Sequence, residues 1–266
     1  NGREVDAIEI YSDLLDKLPE DDVSKRGFIC EEIGVCYRIM NDTEKAIEWY
    51  KKAIDYFKNS QDFVGLGNVQ RDMGRAYAYK GDFQKELEWL NESEQTLLKT
   101  DNLTSLGITQ IKRGTAYTNM EDYKKAEKHL MSGLENIRKD ASWNWFMEMT
   151  ALLELGFLYF RMAAFQKGID RLRESLALLY EEDKTRTQMR RLGEIYLGLA
   201  WCYLGLEKIS GATDRFIQAM NDWEPMDAAS TQLVIEKGKV EELIQQIEEA
   251  NEELGAAARQ AYEDIL

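Results

Sequence analysis

A glycine followed three residues later by a tyrosine recurs along the chain at a nearly constant interval. The pattern occurs in EEIGVCYRIM, RDMGRAYAYK, IKRGTAYTNM and LELGFLYFRM. Its glycines are Gly34, Gly74, Gly114 and Gly156, and its tyrosines are Tyr37, Tyr77, Tyr117 and Tyr159. The steps are 40, 40 and 42 residues, and a fifth copy with Ala200 and Tyr203 follows after 44. Because a period of this length is typical of stacked supersecondary units, the sequence predicts an array of about five similar units.

Each copy continues through a short turn into a second segment with a small, a large and a small residue at fixed places. These three places hold Ala46, Tyr50 and Ala53 in the first copy, and Ala212, Phe216 and Ala219 in the fifth. They hold Glu86, Leu90 and Ser93, then Ala126, Leu130 and Gly133, then Gly168, Leu172 and Ser175 in the other three. The second copy therefore keeps only part of the pattern, since Glu86 stands in a small-residue place.

This arrangement resembles the tetratricopeptide repeat, a helix–turn–helix unit of about 34 residues in its commonest form. The resemblance covers roughly residues 1–221 and implies an all-α fold, a right-handed α-solenoid with a concave inner face. The expected units lie near 27–60, 67–100, 107–140, 149–182 and 193–221. A half repeat is expected over residues 1–20, because Ala7, Tyr11 and Pro19 fit a second helix that lacks its first. We therefore expect further repeats upstream in a longer parent protein.

In tetratricopeptide proteins, one face of the first helix of each unit lines the concave groove and binds extended peptides. We call this the inner face, and the resemblance places 24 residues on it. They are Phe28, Glu31, Glu32, Val35, Arg38, Ile39, Asn68, Arg71, Asp72, Arg75, Tyr79, Ile108, Ile111, Lys112, Thr115, Asn119, Leu153, Glu154, Phe157, Phe160, Arg161, Glu194, Leu197 and Trp201. Five cations balance five anions in this set, so the face is relatively basic on a chain of net charge −15.

A subset of the inner face is predicted to bind a protein or peptide ligand. The candidates are Arg38, Asn68, Arg71, Arg75, Tyr79, Lys112, Thr115, Asn119, Phe157, Arg161 and Trp201. Arg71, Arg75 and Lys112 face only one nearby acid, Asp72, and could anchor a carboxylate or an acidic peptide. In the alternative interpretation, the two arginines pair with Asp72 and neighbouring acids on a solvated face.

Composition argues against several other functions. A net charge of −15 disfavours nucleic-acid binding. Cys30, Cys36 and Cys202 form no CxxC pair and are expected to be buried, reduced thiols of a cytoplasmic protein. With His129 as the only histidine, expected to face outward, no metal, cofactor or catalytic site is predicted. No apolar run reaches the roughly 18 residues of a membrane span. The sequence therefore predicts a binding module rather than an enzyme.

An aromatic cluster marks the junction between the third and fourth copies. Trp143, Trp145 and Phe146 lie close together in ASWNWFMEM. Packing of a lengthened helix is the favoured interpretation, and a small-molecule pocket is the alternative.

The C-terminal part begins with a linker at 222–230 that contains Pro225, and a helix is predicted over 231–266. Apolar or small residues recur by sevens in two rows. The rows are Val240, Ile247, Leu254 and Ala261, and Leu243, Ala250 and Ala257. This pattern is typical of a short coiled coil that forms a homodimer, and equally of a helix that caps the last repeat. Ile244 and Ile265 would serve either role.

The last residues, Ala261, Asp264 and Leu266, resemble the linker that enters a GGDEF diguanylate cyclase domain. The resemblance implies the regulatory region of a bacterial signalling protein whose output domain follows residue 266. The alternatives are a stand-alone scaffold or adaptor, and the peptide-sensing region of a transcription regulator or histidine kinase.

Overall fold

The computed structural model describes residues 2–142, 144–180, 186–221 and 231–264, and over these ranges the chain is all α. It contains thirteen helices and no strand within the described residues. The helices are α1 (Gly2–Lys17), α2 (Val23–Ile39), α3 (Thr43–Ser60), α4 (Phe63–Tyr79), α5 (Phe83–Leu97), α6 (Leu103–Asn119), α7 (Tyr123–Lys139), α8 (Trp145–Arg161), α9 (Phe165–Tyr180), α10 (Arg186–Gly205), α11 (Ile209–Asn221), α12 (Thr231–Ala250) and α13 (Glu252–Glu263). The predicted fold class, an all-α array of helix–turn–helix units, is confirmed.

The helices form two compact units, residues 1–143 with α1–α7 and residues 144–266 with α8–α13. Within each unit, successive helices pair into hairpins: α2 with α3, α4 with α5, α6 with α7, α8 with α9, and α10 with α11. Neighbouring first helices also touch, α2 with α4 and α4 with α6 in unit 1, and α8 with α10 in unit 2. The inner-face positions of adjacent hairpins therefore meet within each unit.

The first helices of the first four hairpins begin one turn earlier than predicted. They start at Val23, Phe63, Leu103 and Trp145 rather than at residues 27, 67, 107 and 149. Asp22, Asp62, Asn102 and Asn144 cap these helices, each accepting a hydrogen bond from a backbone N–H of the first turn. The unusual repeat length thus adds about one turn at the start of the first helix.

The turn inside each hairpin uses one left-handed residue. Asn41, Gly81, Glu121, Ala163 and Glu207 have φ between 54° and 73°. In the first three hairpins the next residue is an aspartate that caps the second helix, as Asp42 does by accepting from the N–H of Lys45. The Lys45 ammonium also pairs with Asp42 at 2.8 Å and lies 5.2 Å from the ring centre of Tyr37. The recurrent tyrosine is therefore partly covered by a lysine of its own hairpin turn.

The recurrent glycine brings the two helices of a hairpin together. A Cβ atom on Gly114 would lie 2.5 Å from Cγ of Leu130, and one on Gly156 would lie 2.5 Å from Cγ of Leu172. A Cβ on Gly34 would lie 2.5 Å from the Tyr50 ring. In the first four hairpins the partner is the large residue sixteen positions later, so this contact sets the spacing between their paired helices.

The prediction of a single C-terminal helix is wrong. The chain breaks at Asn251, which has extended backbone and caps α13 by accepting from the N–H of Leu254. Gly255 allows α13 to approach Glu248 of α12 closely, and Arg259 of α13 binds the Glu248 carboxylate at 2.6 and 2.7 Å. These contacts hold α12 and α13 as a folded-back pair. The heptad spacing of apolar residues predicts one continuous helix because it does not reveal the break.

The apolar row of α12 is used within unit 2. Val240, Leu243 and Ile247 are buried in the same core as Phe216 of α11 and Tyr262 of α13. This burial favours the capping interpretation over the coiled coil, because the row cannot also contact a second chain. Pro225, Ile265 and Leu266 lie outside the described residues.

The helix-pairing glycines generate a first prediction. Gly156→Ala should lower the free energy of unfolding by about 1–3 kcal/mol, because its Cβ would overlap Leu172. Gly238→Ala is the matched control, since it also lies within a helix but has nothing within 4 Å, and should raise that free energy by about 0.5–1 kcal/mol. Urea unfolding followed by circular dichroism measures both; equal stabilisation by the two changes would show that the glycine contact does not set the helix spacing.

The left-handed turn residues generate a second prediction. Ala163→Gly should raise the free energy of unfolding by about 0.5–1 kcal/mol, because the alanine Cβ is strained at φ 54°. Gly81→Ala, at φ 73° in the equivalent turn of another hairpin, should lower it by a similar amount. Thermal unfolding of both variants measures the two changes in the free energy of unfolding. Changes of the same sign would contradict the assigned turn geometry.

Candidate functional site

The predicted binding residues fall on the first helices of both units. In unit 1 they lie on α2, α4 and α6, where Arg38 is buried, Asn68, Arg71, Arg75, Lys112 and Thr115 are half-buried, and Tyr79 and Asn119 are exposed. In unit 2, Phe157 and Trp201 are half-buried and Arg161 is exposed, on α8 and α10. Each unit therefore carries its own candidate face.

Arg38 is a packing residue rather than an open anchor. Its Nε–H donates to the hydroxyl of Tyr50 at 3.3 Å, and its guanidinium carbon lies 5.9 Å from the ring centre of Tyr79. Burial raises the pKa of Tyr50 well above its usual range, Asp72 adds to this effect, and Arg38 opposes it. Arg38 thus ties the first hairpin to α4, and its charge is largely used within the fold.

The two central arginines differ in their partners. Arg75 forms an ion pair with buried Asp72, with 3.1 Å between Nη1 and Oδ1. Nη1 of Arg71 donates to the amide oxygen of Asn68 at 2.8 Å, so its hydrogen-bond partner is neutral. The alternative interpretation, in which the arginines pair with Asp72, therefore applies to Arg75. Among the described residues, Arg71 has no acidic hydrogen-bond partner and is the better candidate to bind an external anion.

Glu31 does not behave as an ordinary surface carboxylate. Burial is the main cause that raises its pKa to about 8; nearby Asp72 and Glu32 contribute to the rise, and Arg71 opposes it. Burial also raises the pKa of Glu32, whose carboxylate accepts a hydrogen bond from Tyr11. At neutral pH Glu31 is therefore mostly protonated, so the balance of five cations and five anions counted from the sequence does not hold here.

Lys112 lies near a buried carboxylate on the adjacent hairpin. Glu86 occupies the place that holds Ala46 or Ala126 in neighbouring repeats, and it is buried. Burial raises its pKa to about 7, with Lys112 opposing the shift. Its Oε2 atom has no hydrogen-bond partner among the described residues. From the sequence, Glu86 is recognisable only as an exception to the repeat pattern. The structure places its carboxyl group near Lys112 of the inner face.

The inner face of unit 2 is aromatic where that of unit 1 is charged. The Phe160 and Trp201 ring centres are 5.6 Å apart, and those of Phe160 and Phe165 are 6.2 Å apart. A Cβ atom on Gly198 would lie 3.1 Å from Cδ1 of Leu172 and 3.3 Å from the Phe157 ring, so glycine leaves room on α10 for both side chains. The rings of Phe157, Phe160 and Trp201 remain half-buried, which leaves part of each at the surface.

Two aromatic predictions from the sequence have different outcomes. Trp145 and Phe146 meet edge to face at 5.8 Å and pack against the core of unit 2, as the packing interpretation expects, whereas Trp143 lies outside the described residues. His129 was expected to face outward, and this is wrong. Its half-buried ring stacks on Tyr117 at 5.4 Å, and burial with nearby Arg113 lowers its pKa to about 4.

Several kinds of site are absent from the part of the chain that the structure describes. No group of three or more histidine, cysteine, aspartate or glutamate side chains could hold a metal ion there. Within the same residues, no helix is long and apolar enough to cross a membrane. The three cysteines are free and buried, as predicted.

Comparison with known proteins agrees with the helix pairing. Residues 29–60, which span α2 and α3, match the family model described as tetratricopeptide repeat. The matched segment includes Gly34 and Tyr50, the helix-pairing residues of the first hairpin. No curated protein sequence matches the chain.

Solved structures show how far the fold extends beyond that one repeat. BtubC from P. vanneervenii has a TM-score of 0.70 at 14% identity, over 86% of this chain and 94% of its own. The apo form of RapI has a TM-score of 0.67 at 15% identity, over 98% of this chain and 88% of its own. A tetratricopeptide repeat protein from Parabacteroides merdae ATCC 43184 has a TM-score of 0.57 at 16% identity, over 98% of this chain and 92% of its own. At these identities the likeness establishes the tetratricopeptide fold alone.

The buried carboxyl generates a third prediction. Because the pKa of Glu86 is about 7 in the folded state and about 4.3 when unfolded, its contribution to stability is present at low pH and is lost as pH rises through 7. Glu86→Gln should therefore raise the free energy of unfolding at pH 8 by about 1–2 kcal/mol, and the gain should vanish near pH 4. Glu88→Gln, exposed on the same helix, is the control. Urea unfolding across this pH range measures the difference, and a gain that does not change with pH would contradict it.

Proposed function

We propose that the chain is a non-catalytic, protein-binding module whose inner faces hold extended segments of partner proteins. The tetratricopeptide fold supports a protein-interaction scaffold in general terms. One observation carries the more specific proposal for unit 1. Phe28, Ile39 and Tyr79 on its inner face are 54%, 56% and 59% exposed, although each is a large apolar side chain. Such side chains beside polar groups are typical of an interaction surface.

The chemistry of this face suits a peptide. Ile39 and Tyr79 end successive first helices at equivalent positions, so they can hold apolar side chains at one edge. Asn68, Thr115 and Asn119 offer polar groups for a peptide backbone. Arg71 is the proposed anchor for a carboxylate, because its hydrogen-bond partner in the fold is the neutral Asn68 and the neighbouring Glu31 is mostly protonated at pH 7.

A displayed library of random twelve-residue peptides tests this proposal. Peptides selected on the whole chain should lose at least about tenfold in affinity on Arg71→Glu, because a desolvated charge pair becomes a repulsion. Tyr79→Ala should weaken the same peptides by removing exposed apolar contact. Lys51→Glu, an exposed charge reversal on α3, is the control and should leave binding unchanged.

Two results would overturn the proposal. One is a library that yields no peptide above background on the folded chain. The other is a set of bound peptides whose affinity is insensitive to Arg71→Glu and Tyr79→Ala, which would overturn the assignment of the site to unit 1. Circular dichroism of each variant keeps loss of binding separate from loss of fold.

The biological setting is a further part of the proposal. The resemblance of Ala261, Asp264 and Leu266 to a diguanylate cyclase linker supports a cytoplasmic signalling protein in which this chain regulates an output domain. Production of a cyclic dinucleotide from GTP by the parent protein tests it directly, and absence of that activity would favour a stand-alone scaffold, or the peptide-sensing part of a transcription regulator or histidine kinase. Because the apolar row of α12 is buried in unit 2, we favour a capping role for α12 over a homodimeric coiled coil.

A further inference from the structure

We propose that the inner face of unit 2 binds a large apolar side chain of a partner segment that is followed closely by a carboxylate. The rings of Phe157, Phe160 and Trp201 would receive the apolar side chain, and Arg161 would pair with the carboxylate. This inference rests on the proposed function and adds which side chains of a partner segment unit 2 would bind.

The inner-face ring of Trp201 has no counterpart at the equivalent place on α4. Asp72, Arg75 and Tyr79 of α4 occupy the positions that Gly198, Trp201 and Gly205 occupy on α10, counted from the recurrent small residue. The scaffold of the hairpins does not require rings there, since α4 packs with an ion pair at the same place. The rings pack against the core of unit 2 yet remain half-buried, so part of each ring stays available to a ligand.

Glycines shape the surface around Trp201. Gly198 lies one turn before it and accommodates the Phe157 ring, whose Cε1 would be 3.3 Å from an added Cβ. Gly205 lies one turn after it and packs against the Phe165 ring in the same way. Trp201 itself rests against Phe160 at 5.6 Å between ring centres. The result is a row of half-buried rings from α8, α9 and α10 that offers flat apolar area and loses little conformational entropy on binding.

The positive charge of Arg161 beside the rings favours a carboxylate in the partner segment. Arg161 directly follows Phe160 and is exposed, and it has no ion pair or hydrogen bond among the described residues. Glu154 lies on the same side of α8, seven residues earlier, which is about 10 Å along the helix. A ligand carboxylate is therefore favoured at the Arg161 end of the row and disfavoured at the Glu154 end.

A partner segment fits this face better than a second copy of the chain. Two copies would each bring a net charge of −15 to the contact, and their repulsion opposes association. A short segment with one carboxylate carries little net charge, so it gains the contact with Arg161 without that penalty. The occupant is therefore an apolar–acidic peptide segment.

Fluorescence anisotropy with three labelled ten-residue peptides, titrated with the whole chain, tests the inference. The first has Phe followed two residues later by Glu in a Gly/Ser background, the second replaces Glu with Lys, and the third replaces Phe with Ala. The unaltered chain should bind the Phe–Glu peptide about fivefold more tightly than the Phe–Lys peptide, as expected for an exposed charge pair. It should bind the Ala peptide more weakly as well.

Charge reversal separates recognition from folding. Arg161→Glu should reverse the preference to the Phe–Lys peptide and leave the packing intact, because Arg161 is exposed. Trp201→Ala should remove the advantage of Phe over Ala. Lys208→Glu, an exposed reversal elsewhere in unit 2, is the matched control and should change neither preference.

The outcomes distinguish this inference from the function on which it rests. A Phe–Glu preference that persists unchanged in Arg161→Glu would overturn the inference, as would equal binding of all three peptides by the unaltered chain. If library-selected peptides still bind through Arg71 in either case, the proposed function stands. A concentration-dependent dimer that Arg161→Glu abolishes, detected by light scattering, would overturn the inference in favour of a second copy.

Discussion

The contact between a glycine of the first helix and a large residue of the second is the constraint on which each hairpin depends. Gly156 meets Leu172 and Gly114 meets Leu130 at separations that no Cβ atom could tolerate without a shift. Once the helices are this close, the left-handed turn residue and the capping aspartate can close the loop in three residues. The same contact also fixes which side of the first helix is left for its neighbours, and that side is the inner face.

The repeated hairpins could be predicted because this contact leaves a direct trace in the sequence. Glycine and its partner are sixteen residues apart in every copy, and in the fifth copy Ala200 and Phe216 keep that spacing. The early start of each first helix could not be read in this way, because it depends on a capping residue such as Asp62 in a junction that varies between copies. The break at Asn251 was missed for a related reason. A heptad of apolar residues looks the same whether it packs against another chain or folds back on its own.

The repeat register predicts on which helix each candidate residue lies, but not its charge state. Arg71, Arg75 and Tyr79 lie four residues apart on α4, which contacts α2 and α6. Which cations remain available depends on burial and on neighbours that the sequence does not reveal. Arg75 is neutralised by Asp72, and Glu31 loses its charge at neutral pH because burial raises its pKa to about 8. A count from the sequence assigns a full charge to every one of these side chains, whereas burial and ion pairing change that charge in the folded chain.

Glu86, the residue that departs from the repeat pattern, lies close to an inner-face residue, Lys112. Glu86 replaces a small residue at a buried position, and a carboxylate there is unfavourable unless something compensates for its lost hydration. Lys112 supplies part of that compensation, since it lowers the pKa that burial raises. A sequence tends to break a local packing rule where function demands it. The positive charge of Lys112 on α6 therefore favours the charged form of a carboxyl group that the adjacent hairpin buries.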